Sequence, residues 1–358
     1  MYRWPLYLSA VLTCSLVNAY PQDHAHVETS ARSLPGTWHQ DETHPAHALF
    51  RRQSSGSFPK VGSAEWKAGF PQTADTGSMP KAWTNALNAA ISAGKIPDIP
   101  ASTQSSPGTT PVYSGQDPSK QPVCSASYHC RLGGQLWDAP SGVVGVSFDD
   151  GPLAASDDLY SFLQQNDIPS THFFIGTNIL QYPNEFTTAF STLKSDIAVH
   201  TWTHPYMTTL SNAQIVAELG WTMQLIYVST GGRLARYWRP PYGDTDARVD
   251  AIASVVFGLT TVIWNRDTSD WSLDSAGGTT QDAISADFTE WLSGPKSPGL
   301  IILEHELRPA TVQAFKNNYP KFAQYGWKVE SVARIQGSAY QNAQSSSGSV
   351  TAGSVAGA

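Results

Sequence analysis

The chain has 358 residues, a net charge of −7 from 22 Lys+Arg against 29 Asp+Glu, and only 14% charged residues. That length supports one large domain or two small ones. Low charge together with 12 Trp excludes a coiled coil and a disordered chain. An acidic chain without basic runs is a poor match for phosphates, so no nucleic-acid partner is expected.

Residues 1–19 read as a secretory signal peptide. Arg3 gives a positive start, residues 6–17 are an apolar run too short to span a bilayer, and Val17-Asn18-Ala19 is a small-residue cleavage site. A signal anchor is the alternative. Residues 20–52 are polar, rich in His and end in Arg51-Arg52, a pair of the kind that secretory processing proteases cut, so this stretch is a possible propeptide. A solvated charge pair is the plainer reading. Residues 53–140 are Pro-, Gly- and Ser-rich, an irregular N-terminal arm with one helix predicted over 80–93, packed on the main domain. Cys14 leaves with the signal, so Cys124 and Cys130 remain. In an oxidising compartment they are expected to form a local disulfide, with a metal pair as the alternative.

From 141 to 336 the order becomes regular. Strand-like runs at 143–148, 171–175, 197–200, 237–239, 259–264, 300–304 and 327–331 alternate with helix-like runs at 156–166, 184–194, 212–229, 246–256, 280–292 and 310–318. About seven such alternations imply parallel strands with crossover helices. A (β/α) barrel is favoured over an open sheet, because the chemistry-bearing residues fall at the ends of several strands. The Ser/Gly/Ala-rich tail, 337–358, cannot bury enough surface to fold. No apolar tail follows it, so a lipid anchor is expected only if the sequence continues further. No transmembrane segment is expected, and the product is read as a secreted, extracellular or cell-wall monomer.

Five clusters carry candidate chemistry. Asp149 and Asp150 end the first strand run before Gly151-Pro152. Two adjacent buried carboxylates need a cation or an Arg, although such a turn is by itself ordinary turn chemistry. His200 and His204 follow the third run, at a spacing that puts both imidazoles on one face if the segment turns helically. With one carboxylate they would hold a divalent metal with open positions, the hallmark of a catalytic rather than a structural site. Arg239 precedes Pro240-Pro241-Tyr242-Gly243, a stiff loop, and is placed to neutralise a carboxylate on the rim. Asp267 and Asp270-Trp271 follow the fifth run, and His305 ends the very apolar 300–304 run. Beside Asp270, His305 becomes an oriented general acid; otherwise it is a core histidine. Trp202 and Trp271 read equally as sugar-stacking surfaces or as core.

These five clusters, in order from Asp149 to His305, resemble the motifs of the NodB-type polysaccharide deacetylases (carbohydrate esterase family 4), most of all secreted basidiomycete chitin deacetylases. The resemblance covers roughly 124–337. It implies a distorted (β/α) barrel and one divalent metal, Zn²⁺ or Co²⁺, on Asp150, His200 and His204. It further implies Asp149 as general base paired with Arg239, and His305 as general acid oriented by Asp270. Leu303 would line the acetyl pocket, Trp271 would form a wall, and the Tyr242 N–H would face the oxyanion. The implied reaction is deacetylation of chitin or a chitin oligosaccharide, with acetate as product. Glu306 stands where many relatives carry Asp. An O-acetyl xylan esterase, a peptidoglycan deacetylase and a non-catalytic chitin-binding protein remain open on the same residues. A two-carboxylate glycoside hydrolase leaves the histidines unexplained, and no G-x-S-x-G motif supports a serine esterase.

Overall fold

The computed structural model describes residues 38–50 and 58–335. The expected signal and tail lie outside the described residues, as do Arg51 and Arg52. The strands are β1 (Val143–Asp149), β2 (Thr171–Phe174), β3 (Asp196–Val199), β4 (Tyr237–Trp238), β5 (Thr260–Thr261), β6 (Arg266–Asp267), β7 (Leu300–Leu303) and β8 (Lys328–Ser331). Seven of them match the expected runs; β6, two exposed polar residues, has no apolar pattern to announce it. Every ladder is parallel.

The sheet order is β5-β4-β3-β2-β1-β7-β6, with β8 paired to the first half of β1. β5 ends at Thr261 and β6 starts at Arg266, so the two ends of this order are joined by a short stretch of chain. The sheet therefore curls into an incomplete (β/α) barrel, as expected. The arm helps to fill the remaining gap, since Leu136 bridges Val262 in parallel and donates its N–H to Thr261. Phe173, Ala198, Tyr237, Val262, Ile301 and Val332 pack together as a separate cluster inside the curl. The alternate residues Phe148, Phe174 and Val199 belong to the larger cluster that includes the helices. Burial on both faces is what makes these strands read as continuous apolar runs.

The helices are α1 (Ala64–Ala68), α2 (Lys81–Ser92), α3 (Ser156–Gln165), α4 (Gly176–Gln181), α5 (Pro183–Thr187), α6 (Asn212–Ser229), α7 (Ala247–Ala251), α8 (Gln281–Ser293), α9 (Pro309–Asn318) and α10 (Pro320–Gln324). α6 starts at a capping box, in which Ser211 and Gln214 satisfy each other's backbone N–H groups. It is buried almost all round because α2 of the arm lies over it. Trp83 of α2 sits on Gly220, where a Cβ would come within 2.6 Å of the indole.

Residues 38–50 are also part of the core. Gln40 N–H donates to Leu234 O at 2.7 Å, and the His44 ring covers Gly258, where a Cβ would meet it at 2.3 Å. Phe50 is buried among Trp83, Tyr227 and Phe257, and Trp83 Nε1 donates to Leu49 O at 2.9 Å.

Candidate active site

The sequence-predicted residues converge at one end of the curled sheet. Asp149 ends β1, Asp150 follows it, His200 follows β3, Arg239 follows β4, and His305 lies two residues beyond β7. Parallel strands bring their C-terminal ends to one rim, which is why dispersed motifs meet there.

Asp150, at φ +72°, turns out of the β1 ladder. Its Oδ1 lies 3.2 Å from His200 Nε2 and 3.1 Å from His204 Nε2. Ligand atoms of the three residues lie within 4.8 Å of one another. Oδ1 is buried, yet no hydrogen bond reaches it. His200 Nδ1 lies 2.7 Å from Arg239 O and donates to it, so Nε2 carries the lone pair. An unprotonated imidazole nitrogen facing a carboxylate oxygen without a hydrogen bond is a donor set awaiting a cation. The residues therefore fit a divalent metal.

The histidines do not reach this point by a helical turn, as their spacing had suggested. The segment between them is irregular, with Thr201 at φ +65° and His204 at φ +62°. Left-handed conformations outside glycine cost about 1–3 kcal/mol each and persist where the surroundings impose them. Trp202 between them takes the second of its two readings, core: it is fully buried against Gly176 and offers no surface to a sugar.

Two ion pairs flank the triad. Arg239 Nη1 donates to Asp149 Oδ1 at 2.6 Å, with both side chains buried. The guanidinium also lies 4.2 Å from the Phe173 ring centroid. Asp149 Oδ2 stands 4.0 Å from His200 Nε2. On the other side, His305 Nδ1 donates to Asp270 Oδ1 at 2.6 Å, and the His305 backbone N–H donates to Asp270 Oδ2 at 2.9 Å. His305 Nε2 then faces Asp150 Oδ2 at 4.0 Å. Burial disfavours the His305 imidazolium, but the Asp270, Asp150 and Asp149 carboxylates outweigh it and push its pKa up to about 10.

Leu303 is buried beside this group, whereas Trp271 and Tyr242 are each 53% exposed on the rim. Tyr242 adopts φ +59°. Its ring stacks on Tyr206 at 3.9 Å and meets His204 edge-on at 4.7 Å. Tyr206 was not among the predicted residues; its OH donates to Gly108 O of the arm at 3.2 Å. Glu306 lies over Gly151 and pairs with buried His172 at 2.8 Å. The Cys124–Cys130 disulfide is formed in the arm, on a loop that packs beside the Tyr242 turn, where Ala126 N–H donates to Thr245 O at 2.9 Å.

The sequence profile of the polysaccharide deacetylase family matches residues 138–261. Chitin deacetylase 3 of Cryptococcus neoformans var. neoformans is 39% identical over 311 residues, which span 85% of this chain and 73% of that protein. The chain belongs to the polysaccharide deacetylase family. Members of this family of hydrolases are generally metal-dependent, which agrees with the donor set of Asp150, His200 and His204. Chitin deacetylase of Amylomyces rouxii is 37% identical over 187 residues, 49% of this chain and 42% of that protein. The solved chitin deacetylase of the fungal pathogen Colletotrichum lindemuthianum shares the fold, with a TM-score of 0.50 at 23% identity over 56% of this chain and 89% of that one.

Proposed function

We propose that this family member removes N-acetyl groups from chitin, giving acetate and the de-N-acetylated polymer. The reading is carried by one arrangement: a carboxylate–imidazole triad with Asp149–Arg239 on one side and His305–Asp270 on the other. The names of the similar fungal proteins support the choice of substrate. Asp150, His200 and His204 would hold one divalent ion, with Zn²⁺ favoured by the two imidazoles and single carboxylate. When bound, such an ion activates water and polarises the acetamide carbonyl.

The chain's own residues do the rest. Arg239 holds Asp149 through Oδ1, so Oδ2 is free to take the proton of the attacking water. The Tyr242 N–H would face the oxygen on which negative charge develops. His305, protonated and oriented by Asp270, gives its Nε2 proton to the departing amine. An amine leaves poorly without that proton, so a base alone does not complete the reaction. The exposed faces of Trp271 and Tyr242 would contact the sugar.

Secretion to the cell exterior or wall, with the signal peptide at 1–19, the arm over 53–140 and the catalytic domain over 141–336, belongs to the same proposal. No helix among the described residues is long and apolar enough to cross a membrane.

Acetate release from chitin oligomers, acetylxylan and peptidoglycan, with the protein stripped of metal and then resupplied with Zn²⁺, tests the reading. Zinc-dependent release from chitin oligomers is expected to exceed release from the other two. Release from acetylxylan or peptidoglycan alone would reassign the substrate, and release without metal would overturn the mechanism.

A further inference from the structure

We propose that Glu218 is the positioning residue that shapes the loop carrying both histidines, and so sets the metal affinity of the site. The proposal rests on the metal reading above. Glu218 lies inside α6, is 4% exposed, and belongs to none of the five motif clusters. Its carboxylate turns toward the loop between His200 and His204. Trp202 N–H donates to Oε2 at 2.7 Å, Thr203 N–H donates to the same oxygen at 2.8 Å, and Thr203 Oγ1 donates to Oε1 at 2.5 Å. Among the described residues it has no cationic partner, so the loop itself is what satisfies it. Burial pushes the Glu218 carboxyl up and these three donors oppose that shift, which accords with a carboxylate kept for its contacts.

The loop needs such an anchor. Thr201 and His204, one after the first ligand and the other the second ligand, both sit at positive φ. Thr201 is β-branched and disfavours that region strongly. The remaining backbone groups are also claimed: Thr201 O and Trp202 O accept from Gly176 and Thr177 N–H, and His204 N–H donates to Thr201 Oγ1 at 3.0 Å. Between the fixed ligand His200 and the second ligand His204, the two N–H groups at the apex of the loop are held by Glu218 alone. With both oxygens so engaged, Glu218 is not itself a ligand. It acts through the backbone, as outer-shell partners of metal ligands do.

The experiment measures Zn²⁺ affinity of the full chain by competition with a chromophoric chelator, alongside the thermal melt of the metal-free protein. Glu218→Met keeps the volume but removes both acceptor oxygens, leaving the Trp202 and Thr203 N–H groups without their partner. Zn²⁺ is expected to bind it roughly 10–100-fold more weakly, in a variant whose metal-free melt still shows one cooperative transition. Thr203→Val deletes only the hydroxyl donor at an exposed position, and a smaller weakening in the same direction is expected. Parent affinity in a folded Glu218→Met would overturn the proposal. If that variant does not fold, Thr203→Val decides, and parent affinity there overturns it. A parent chain that binds no Zn²⁺ would instead sink the metal reading, a result distinct from either.

Discussion

Asp149 and His305 are β-bridge partners: Asp149 N–H donates to Glu304 O at 3.0 Å, and Glu306 N–H donates to Asp149 O at 3.2 Å. The proposed base and acid are thus placed opposite each other by backbone, at the spacing of neighbouring strands. Their side chains are then aimed by separate partners, Arg239 for one and Asp270 for the other. Because the ladder holds both, substitution of either side chain should leave the frame intact, and their roles can be separated by chemistry.

Asp149→Asn is expected to lose activity on both chitin oligomers and an activated aryl acetate, since both need water deprotonated. His305→Ala should lose chitin deacetylation by roughly 10²–10⁴-fold but keep a larger share of aryl acetate cleavage, because a phenolate leaves without a proton. Both should still bind metal near stoichiometrically. Equal losses of His305→Ala on the two substrates would move His305 from proton donor to substrate positioning.

Strong chelation is expected to abolish activity, and Zn²⁺ or Co²⁺ to restore it. His204→Ala should lower metal occupancy, measured by elemental analysis after dialysis, and not merely the rate. Full occupancy in that variant would remove His204 from the ligand set.

Cys124 and Cys130 enclose a short loop, so the entropic stabilisation from their disulfide is modest, about 2 kcal/mol. Intact mass with and without reduction should differ by two hydrogens. Cys130→Ala should lower the melting temperature by a few degrees while deacetylation on a folded sample persists, because the bridge supplies no group to the metal triad or to its flanking ion pairs. Loss of activity at a temperature where the variant is fully folded would contradict this.

Asp244 is fully buried, and burial pushes its carboxyl up to about 6, opposed by donors from Thr208. A raised folded-state value means the native chain keeps a proton that the unfolded chain releases near pH 4. This contribution is full at low pH and is lost as pH rises through 6. The stability of the parent relative to Asp244→Asn should therefore fall between pH 4.5 and 7, by about 3 kcal/mol at most. Urea midpoints of the two proteins at both pH values check the sign; a gap that widens with pH would contradict it.

The central strand runs β1, β2, β3 and β7 were legible because they are buried on both faces, and the rim was legible because its charged residues interrupt those runs at their ends. Glu218 was not, since a single acid in an otherwise apolar helix carries no spacing that ties it to a loop sixteen residues earlier. Trp202 stayed open between core and surface for the converse reason. A Trp between two polar threonines reads equally as either, and only the missing side chain of Gly176 makes room for it inside. The helical turn expected from the histidine spacing failed because a ligand loop can reach the same point through two left-handed residues, a choice invisible in composition.

Residues 38–50 insert Phe50 between Trp83, Tyr227 and Phe257, upstream of the Arg51-Arg52 pair. A cut at that pair would therefore yield a nicked protein, its short N-terminal fragment retained by contact rather than by peptide bond. Such a sample runs as one species on gel filtration and as two under denaturing conditions. A recombinant chain begun after Arg52 is a different object, for it would present an open aromatic floor to solvent and to other copies of itself.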